Sequence, residues 1–249
     1  MFPVGDDNSD RRITPVVNYV LIALNIIVFV FFQGLDSTNA FTMAFVTVPE
    51  EILTGHDVVT RGTTVTDPMT GQMYSVPGLG ATPISVYITL LTSMFMHAGF
   101  AHIAGNMLYL WIFGDNIEDR IGHGRYLLFY LVCGVVASLA QVAVVVLGGG
   151  DTQLPSLGAS GAISGALGAY LALFPGRRVK VIFMYFLHDM PALVVIGGWF
   201  VYQLVLGLGM LGGAGGGVAY GAHIGGFIAG FLLIRLFAIG KPATHVAVR

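Results

Sequence analysis

The chain has 249 residues, of which 55% are hydrophobic and only 10% charged, whereas a soluble domain carries about 25% charged residues to cover its surface. A net charge of −2 offers no basic face to a phosphate backbone, which excludes nucleic-acid tracking. The one cysteine, Cys133, forms neither an internal disulfide nor the CxxC pair of a structural zinc site.

The composition is that of an integral membrane protein, and the charge-free stretches mark its crossings in chain order. Residues 1–12 form a polar tail. Between Arg12 and Asp36 lie 23 uncharged residues around VNYVLIALNIIVFVFF, long enough for one span. The run exceeds an ordinary signal core and lacks an A-x-A site, so it reads as a retained helix. Residues 35–86 form an outer loop bearing Asp36, Glu50, Glu51, Asp57 and Asp67, the only sizeable piece expected outside the bilayer. Its end is punctuated by Pro68, Gly71, Pro77, Gly78, Gly80 and Pro83. An apolar approach segment then leads into a second span over roughly 94–114. Residues 126–150 and 152–176 lack Asp, Glu, Lys and Arg and hold the third and fourth. The stretch 190–234 is cut by Gly212-Gly213-Ala214-Gly215-Gly216-Gly217, a flexible break, into a fifth span at about 191–211 and a sixth at about 218–238. That break is also a candidate lid. The expected architecture is an all-α polytopic bundle of six transmembrane helices over 13–238, between tails 1–12 and 239–249.

Orientation follows from the basic residues. With the N-terminus inside, the inner segments hold Arg11, Arg12, Arg120, Arg125, Arg177, Arg178, Lys180, Arg235, Lys241 and Arg249, and the outer ones only Arg61. This is a strong positive-inside signal, and only an even number of spans keeps the last basic cluster inside. Both termini are therefore expected in the cytoplasm.

Polar residues inside a bilayer are costly and point to function. The second span carries His97, His102 and Asn106, the fourth Gly158-Ala159-Ser160-Gly161, the sixth Ala222-His223. All even-numbered spans enter from the outer face. His102, Asn106, Ser160 and His223 then fall within about three turns of their helix starts, at one shallow depth. A hydroxyl, imidazoles and an amide converge from three segments remote in sequence.

Together, H-x4-H-x3-N (His97, His102, Asn106), G-x-S-G (Gly158, Ser160, Gly161) and A-H-x2-G (Ala222, His223, Gly226) resemble the motifs of the rhomboid intramembrane serine proteases. Gly114-Asp115-Asn116-Ile117-Glu118-Asp119-Arg120 is similar to the segment that closes the family's second span. The resemblance covers about residues 90–235. It implies a six-span bundle in the cell membrane, a bacterial inner membrane, and an endopeptidase that cuts transmembrane segments of other membrane proteins near the outer face. Its partners would be those substrates and the lipid bilayer, with no nucleic acid, metal or cofactor.

The chemistry agrees with that implication. A serine hydroxyl is a weak nucleophile until a base takes its proton, and His223 is the only histidine of the last three spans. No carboxylate lies within 152–176 or 190–234, so a Ser160/His223 dyad is expected. Asp151 is the nearest acid. His102 and Asn106, neighbours at i and i+4, are the expected oxyanion donors. His97, Gly158 and Gly161 are supporting residues. Glu118 and Arg120 read as an inner-face clamp, and Gln141 as either a water holder or a core hydrogen bond.

Two departures from the family pattern stand out. Ser164 occupies the position, four after the serine, where members often place an aromatic residue against the histidine, which makes it a second nucleophile candidate. No Trp-Arg pair stands in the outer loop, since the tryptophans are Trp111 and Trp199. Among rival readings, a metalloprotease would carry HExxH, and a metal site of His97, His102 and His223 would lack carboxylate or thiolate support. A transporter would carry repeats and a midplane polar path. The remaining alternative is an inactive rhomboid-like protein that binds or escorts membrane clients.

Overall fold

The computed structural model describes residues 2–66, 71–210 and 218–240, and the protein is mostly helical. Its elements, in chain order, are β1 (Phe2–Asp6), α1 (Val16–Phe32), α2 (Ala40–Phe45), α3 (Pro49–Thr54), β2 (Thr63–Thr66) and β3 (Met73–Val76). They continue through α4 (Val86–Phe95), α5 (Phe100–Ile121), α6 (His123–Leu147) and α7 (Ser160–Leu173). The last are β4 (Arg178–Phe183), β5 (Phe186–Pro191), α8 (Ala192–Met210) and α9 (Tyr220–Phe237). The glycine run 212–217 and the tail residues Lys241 and Arg249 lie outside the described residues.

By length and apolarity, α6 and α9 are each able to cross a bilayer. The pair α4 and α5 also qualifies as one span, bent by 82°. Helices α1 and α7 are apolar but shorter, and α8 is apolar over Ala192–Leu208. The expected second span, 94–114, is thus redrawn: its first residues belong to α4, and a new helix starts at Phe100. The cause is a side chain from elsewhere. Gln33, at the end of α1, donates from Nε2 to the His97 carbonyl at 3.1 Å and accepts the His97 N–H on Oε1 at 2.8 Å. Both peptide groups of His97 are thereby spent outside any helical ladder.

One end of the bundle gathers the starts of α1, α6 and α8 with the ends of α5, α7 and α9. Buried Glu118 accepts the Val17 and Asn18 N–H groups at 2.9 and 2.7 Å. Asp119 takes those of Arg12 and Ile13, both at 2.8 Å. Glu118 so satisfies amides that the first turn of α1 would otherwise leave unpaired, and Asp119 holds the segment leading into it. Of the expected pair Glu118 and Arg120, Glu118 clamps here, joined by Asp119, while Arg120 Nε is buried and without a partner among the described residues. Arg125, in the first turn of α6, donates to the carbonyls of Phe237 and Ile239 at 3.0 and 2.7 Å. Ala192 N–H, opening α8, donates to the Arg177 carbonyl at 2.9 Å.

At that same end the structure adds strands to the all-α expectation. β1, β4 and β5 form an antiparallel sheet in the order β1-β4-β5. The segment RVKVIF alternates, burying Val179 and Val181 completely and exposing Arg178 and Lys180; that is the period of a half-buried strand. Its basic residues made it read as a plain inner loop. The loop 35–86, expected on the outer side, is likewise structured, with two short helices and the β2–β3 hairpin.

Asp6, at the end of β1, accepts from Tyr170 Oη at 2.7 Å and Asn116 Nδ2 at 2.8 Å. Burial pushes its carboxyl up to about 6, against the lowering pull of the Tyr170 hydroxyl, Arg177 and Arg11. Above this sheet, the buried rings of Phe29, Phe113, Phe129, Tyr126, Tyr130, Tyr170 and Phe174 fill the core.

Helices α7 and α9 touch backbone to backbone. A Cβ added at Gly226 or Gly230 would run into the carbonyl oxygens of Gly161 and Gly165. The small-residue spacing 161/165 against 226/230 is what permits this approach.

Candidate active site

Ser160 is the first residue of α7, and His223 lies in the first turn of α9. The glycine contact between these helices brings the two together: Ser160 Oγ is 2.8 Å from His223 Nε2. The other ring nitrogen, Nδ1, is 2.8 Å from Oε1 of Gln203 on α8. The ring is further flanked by Trp199 and Tyr220, at centroid separations of 6.0 and 6.3 Å. Gln141 of α6 accepts the Ala222 N–H on Oε1 at 3.2 Å, so it holds an amide of the first turn of α9 beside His223.

The other expected residues fall around this pair in graded fashion. His102, half-buried in the first turn of α5, accepts the Ala98 N–H on Nδ1 at 3.2 Å, which leaves Nε2 as its outward nitrogen. Gly158 runs between that ring and the serine, with φ at +128°. A Cβ there would lie 2.9 Å from His102 Cε1 and 3.6 Å from Ser160 Oγ. Only glycine meets both the backbone angle and the space. Asn106, one turn beyond His102, is buried with its Nδ2 unpaired among the described residues. His97 sits in a second layer. Its ring is fully buried with both nitrogens unpaired among the described residues, edge-on to Phe29 and 5.2 Å from the His102 ring. Ser164 donates its hydroxyl to the Ser160 carbonyl at 2.6 Å, the back-bond common to helical serines.

One hollow adjoins Ser160, and a second lies beyond Trp199. One, of about 20 Å³, is lined by Ser93, Ser138, Ser156, Gly158, Ser160 and Ala222 among others, enough for about one water molecule. The other is an apolar cleft of about 390 Å³ between α5, α7 and α8, lined by Tyr109, Phe113, Leu167, Val195, Trp199 and Tyr202 among others. Trp199 borders both this cleft and the His223 ring. Among the described residues no group of three His, Cys, Asp or Glu is arranged to hold a metal ion.

Such an arrangement can activate a hydroxyl. An imidazole nitrogen at hydrogen-bond distance can take the Oγ proton, and nearby donors can receive negative charge on an attacked carbonyl. Gln203 is the polar neighbour that motif reading missed. A lone amide within the apolar run LVVIGGWFVYQLVLGL was the available signal.

The site residues fall inside a recognised sequence family. The family model described as "Rhomboid domain" matches residues 85–239. Over 153 residues, 61% of the chain, it is 37% identical to the rhomboid protease GluP of Bacillus subtilis. It is 31% identical over 147 residues, 58% of the chain, to Rhomboid protein 1, mitochondrial, of Saccharomyces cerevisiae. Over 122 residues, 45% of the chain, it is 32% identical to the human presenilin-associated rhomboid-like protein, mitochondrial. The matched stretches span 26%, 40% and 32% of those relatives' own lengths.

Proposed function

Because this chain belongs to the rhomboid family, we propose that it is an intramembrane serine endopeptidase that cuts transmembrane segments near the outer face. The observation that carries the reading is the 2.8 Å contact between Ser160 Oγ and His223 Nε2 across α7 and α9. Ser160 attacks the scissile carbonyl carbon as His223 takes the Oγ proton on Nε2. The carbonyl oxygen becomes an oxyanion, received by His102 Nε2–H and Asn106 Nδ2. Collapse breaks the C–N bond, and His223 passes its proton to the leaving amine. Water then attacks the acyl-serine carbonyl with His223 again as base, the C–Oγ bond breaks, Oγ takes its proton back from His223, and the product carboxylate leaves.

The small polar hollow beside Ser160 suits that water. The apolar cleft bordered by Trp199 suits a helical substrate, whose carbonyls are hidden in hydrogen bonds until it unwinds locally. The topology proposed is six spans with inner termini, and the helix ends support both termini lying on one side. Starts and ends alternate at the sheet end, and Ser160, His223 and His102 cluster at helix starts at the other. The membrane in which the chain resides is proposed to be a bacterial cell membrane.

The test is fluorophosphonate labelling with cleavage of a model transmembrane substrate, using the protein in liposomes. Wild type is expected to label and cleave, and Ser160→Ala to do neither. Wild-type protein that neither labels nor cleaves would instead fit a client-binding escort.

A further inference from the structure

We infer that Gln203 is a positioning residue that fixes the tautomer of His223; this deepens the protease reading and rests on it. A neutral imidazole carries one N–H, and only the form protonated on Nδ1 leaves a lone pair on Nε2 to accept the serine proton. The amide oxygen Oε1 is an acceptor and nothing else. At 2.8 Å from Nδ1, it selects the form with the proton on Nδ1, and so turns the Nε2 lone pair toward Ser160 Oγ, also at 2.8 Å. Gln203 is itself buried, at 6% exposure, so water competes poorly for that proton.

Its place on the helix strengthens the assignment. Trp199 and Gln203 are i and i+4 on α8 and share one face, so a single helix presents both an aromatic wall to the imidazole ring and an acceptor to its far nitrogen. No carboxylate stands in residues 152–176 or 190–234, and a neutral amide is far cheaper to hold in apolar surroundings than a charged acid. Ser164 contributes nothing to the ring, because its hydroxyl is spent on the Ser160 carbonyl. When Ser160 gives up its proton, His223 carries N–H groups on both nitrogens. Gln203 keeps accepting from Nδ1 and offsets the new charge while the Nε2 proton waits for the leaving amine.

The experiment pairs kinetics with nitrogen-15 NMR of the imidazole in the full chain. In wild type the Nδ1 resonance should be that of a protonated nitrogen and Nε2 that of a bare one. Gln203→Leu should lower kcat roughly 10–100-fold with KM little changed and yield a mixture of tautomers. Gln203→Glu, which keeps an acceptor at the same reach, should recover most of the rate. A wild-type kcat in Gln203→Leu would overturn the inference, as would an Nε2-protonated wild type or a Gln203→Glu variant no better than Leu. The tautomer reading needs no catalysis, so it stands apart from the protease reading, which falls instead if Ser160→Ala still cleaves.

Discussion

The distance between Ser160 and His223 is set by glycines that lie on neither side chain, and Gly226→Ala tests this. The added methyl would fall inside the van der Waals radius of the Gly161 carbonyl oxygen. Backbone cannot yield as a side chain can, so α9 must retreat from α7 by about 1 Å before the contact becomes tolerable. Overpacking of this kind costs about 1–3 kcal/mol, which leaves a folded protein. The same retreat stretches the 2.8 Å hydrogen bond, and a 1 Å displacement at reacting groups costs about 10²-fold in rate. Cleavage of a transmembrane substrate in liposomes, followed by fragment appearance, should fall by that factor while thermal unfolding shifts modestly. Gly124→Ala is the control: a Cβ there meets nothing within 4 Å, and it should cleave normally. Full activity in Gly226→Ala would refute the claim that the glycine contact sets the dyad geometry.

Three further outcomes are expected. His223→Ala should match Ser160→Ala in its loss of cleavage, and the double variant should lose no more, because the two groups act as a unit; additive losses in kcat would separate them. Asn106→Ala should lower kcat by about 10²–10³-fold if its unpaired Nδ2 receives the oxyanion, and an unchanged kcat would return Asn106 to helix packing. For Asp6, the folded carboxyl is raised above its ordinary value of 3.8 to about 6. The protonated form is thus favoured by folding, its contribution is full below about pH 4, and it is lost as pH rises through 6. Tyr170, Asn116, Arg177, Arg11 and Asp115 surround it, and Asp6→Asn should raise the melting temperature above pH 6 and flatten its slope between pH 4 and 6.

Much of the helical scaffold was legible because charge is scarce in a bilayer. The runs 191–211 and 218–238, bounded by composition alone, fall on α8 and α9 within a residue or two. The pairing of Ser160 with His223 was readable because each sits near a helix start on the same side. What stayed hidden depended on partners distant in sequence. The break before Phe100 needs Gln33, the three-stranded sheet needs β1 to meet β4, and the His223 acceptor needs α8 to turn one face toward α9. RVKVIF shows the alternation of a strand, but a strand without a visible partner is only an alternating loop. The fate of Ser164 was equally invisible, since a hydroxyl that could attack and one that bonds its own helix look alike in a sequence.

The pairing of β1 with β4 also imposes an order of events on synthesis. Phe2 is matched with Ile182, and at about 5–20 residues per second the first strand waits roughly 10–40 s for its partner to leave the ribosome. Until then its ladder groups have only water. Sheet closure must follow the making of α1, α5, α6 and α7, and such long-range pairing is slow to form. In a nascent chain arrested before Arg178, β1 should be open to protease; in the finished chain it should be protected. The sheet is therefore a latch that shuts last, and its closure reports that the helices before it are in place.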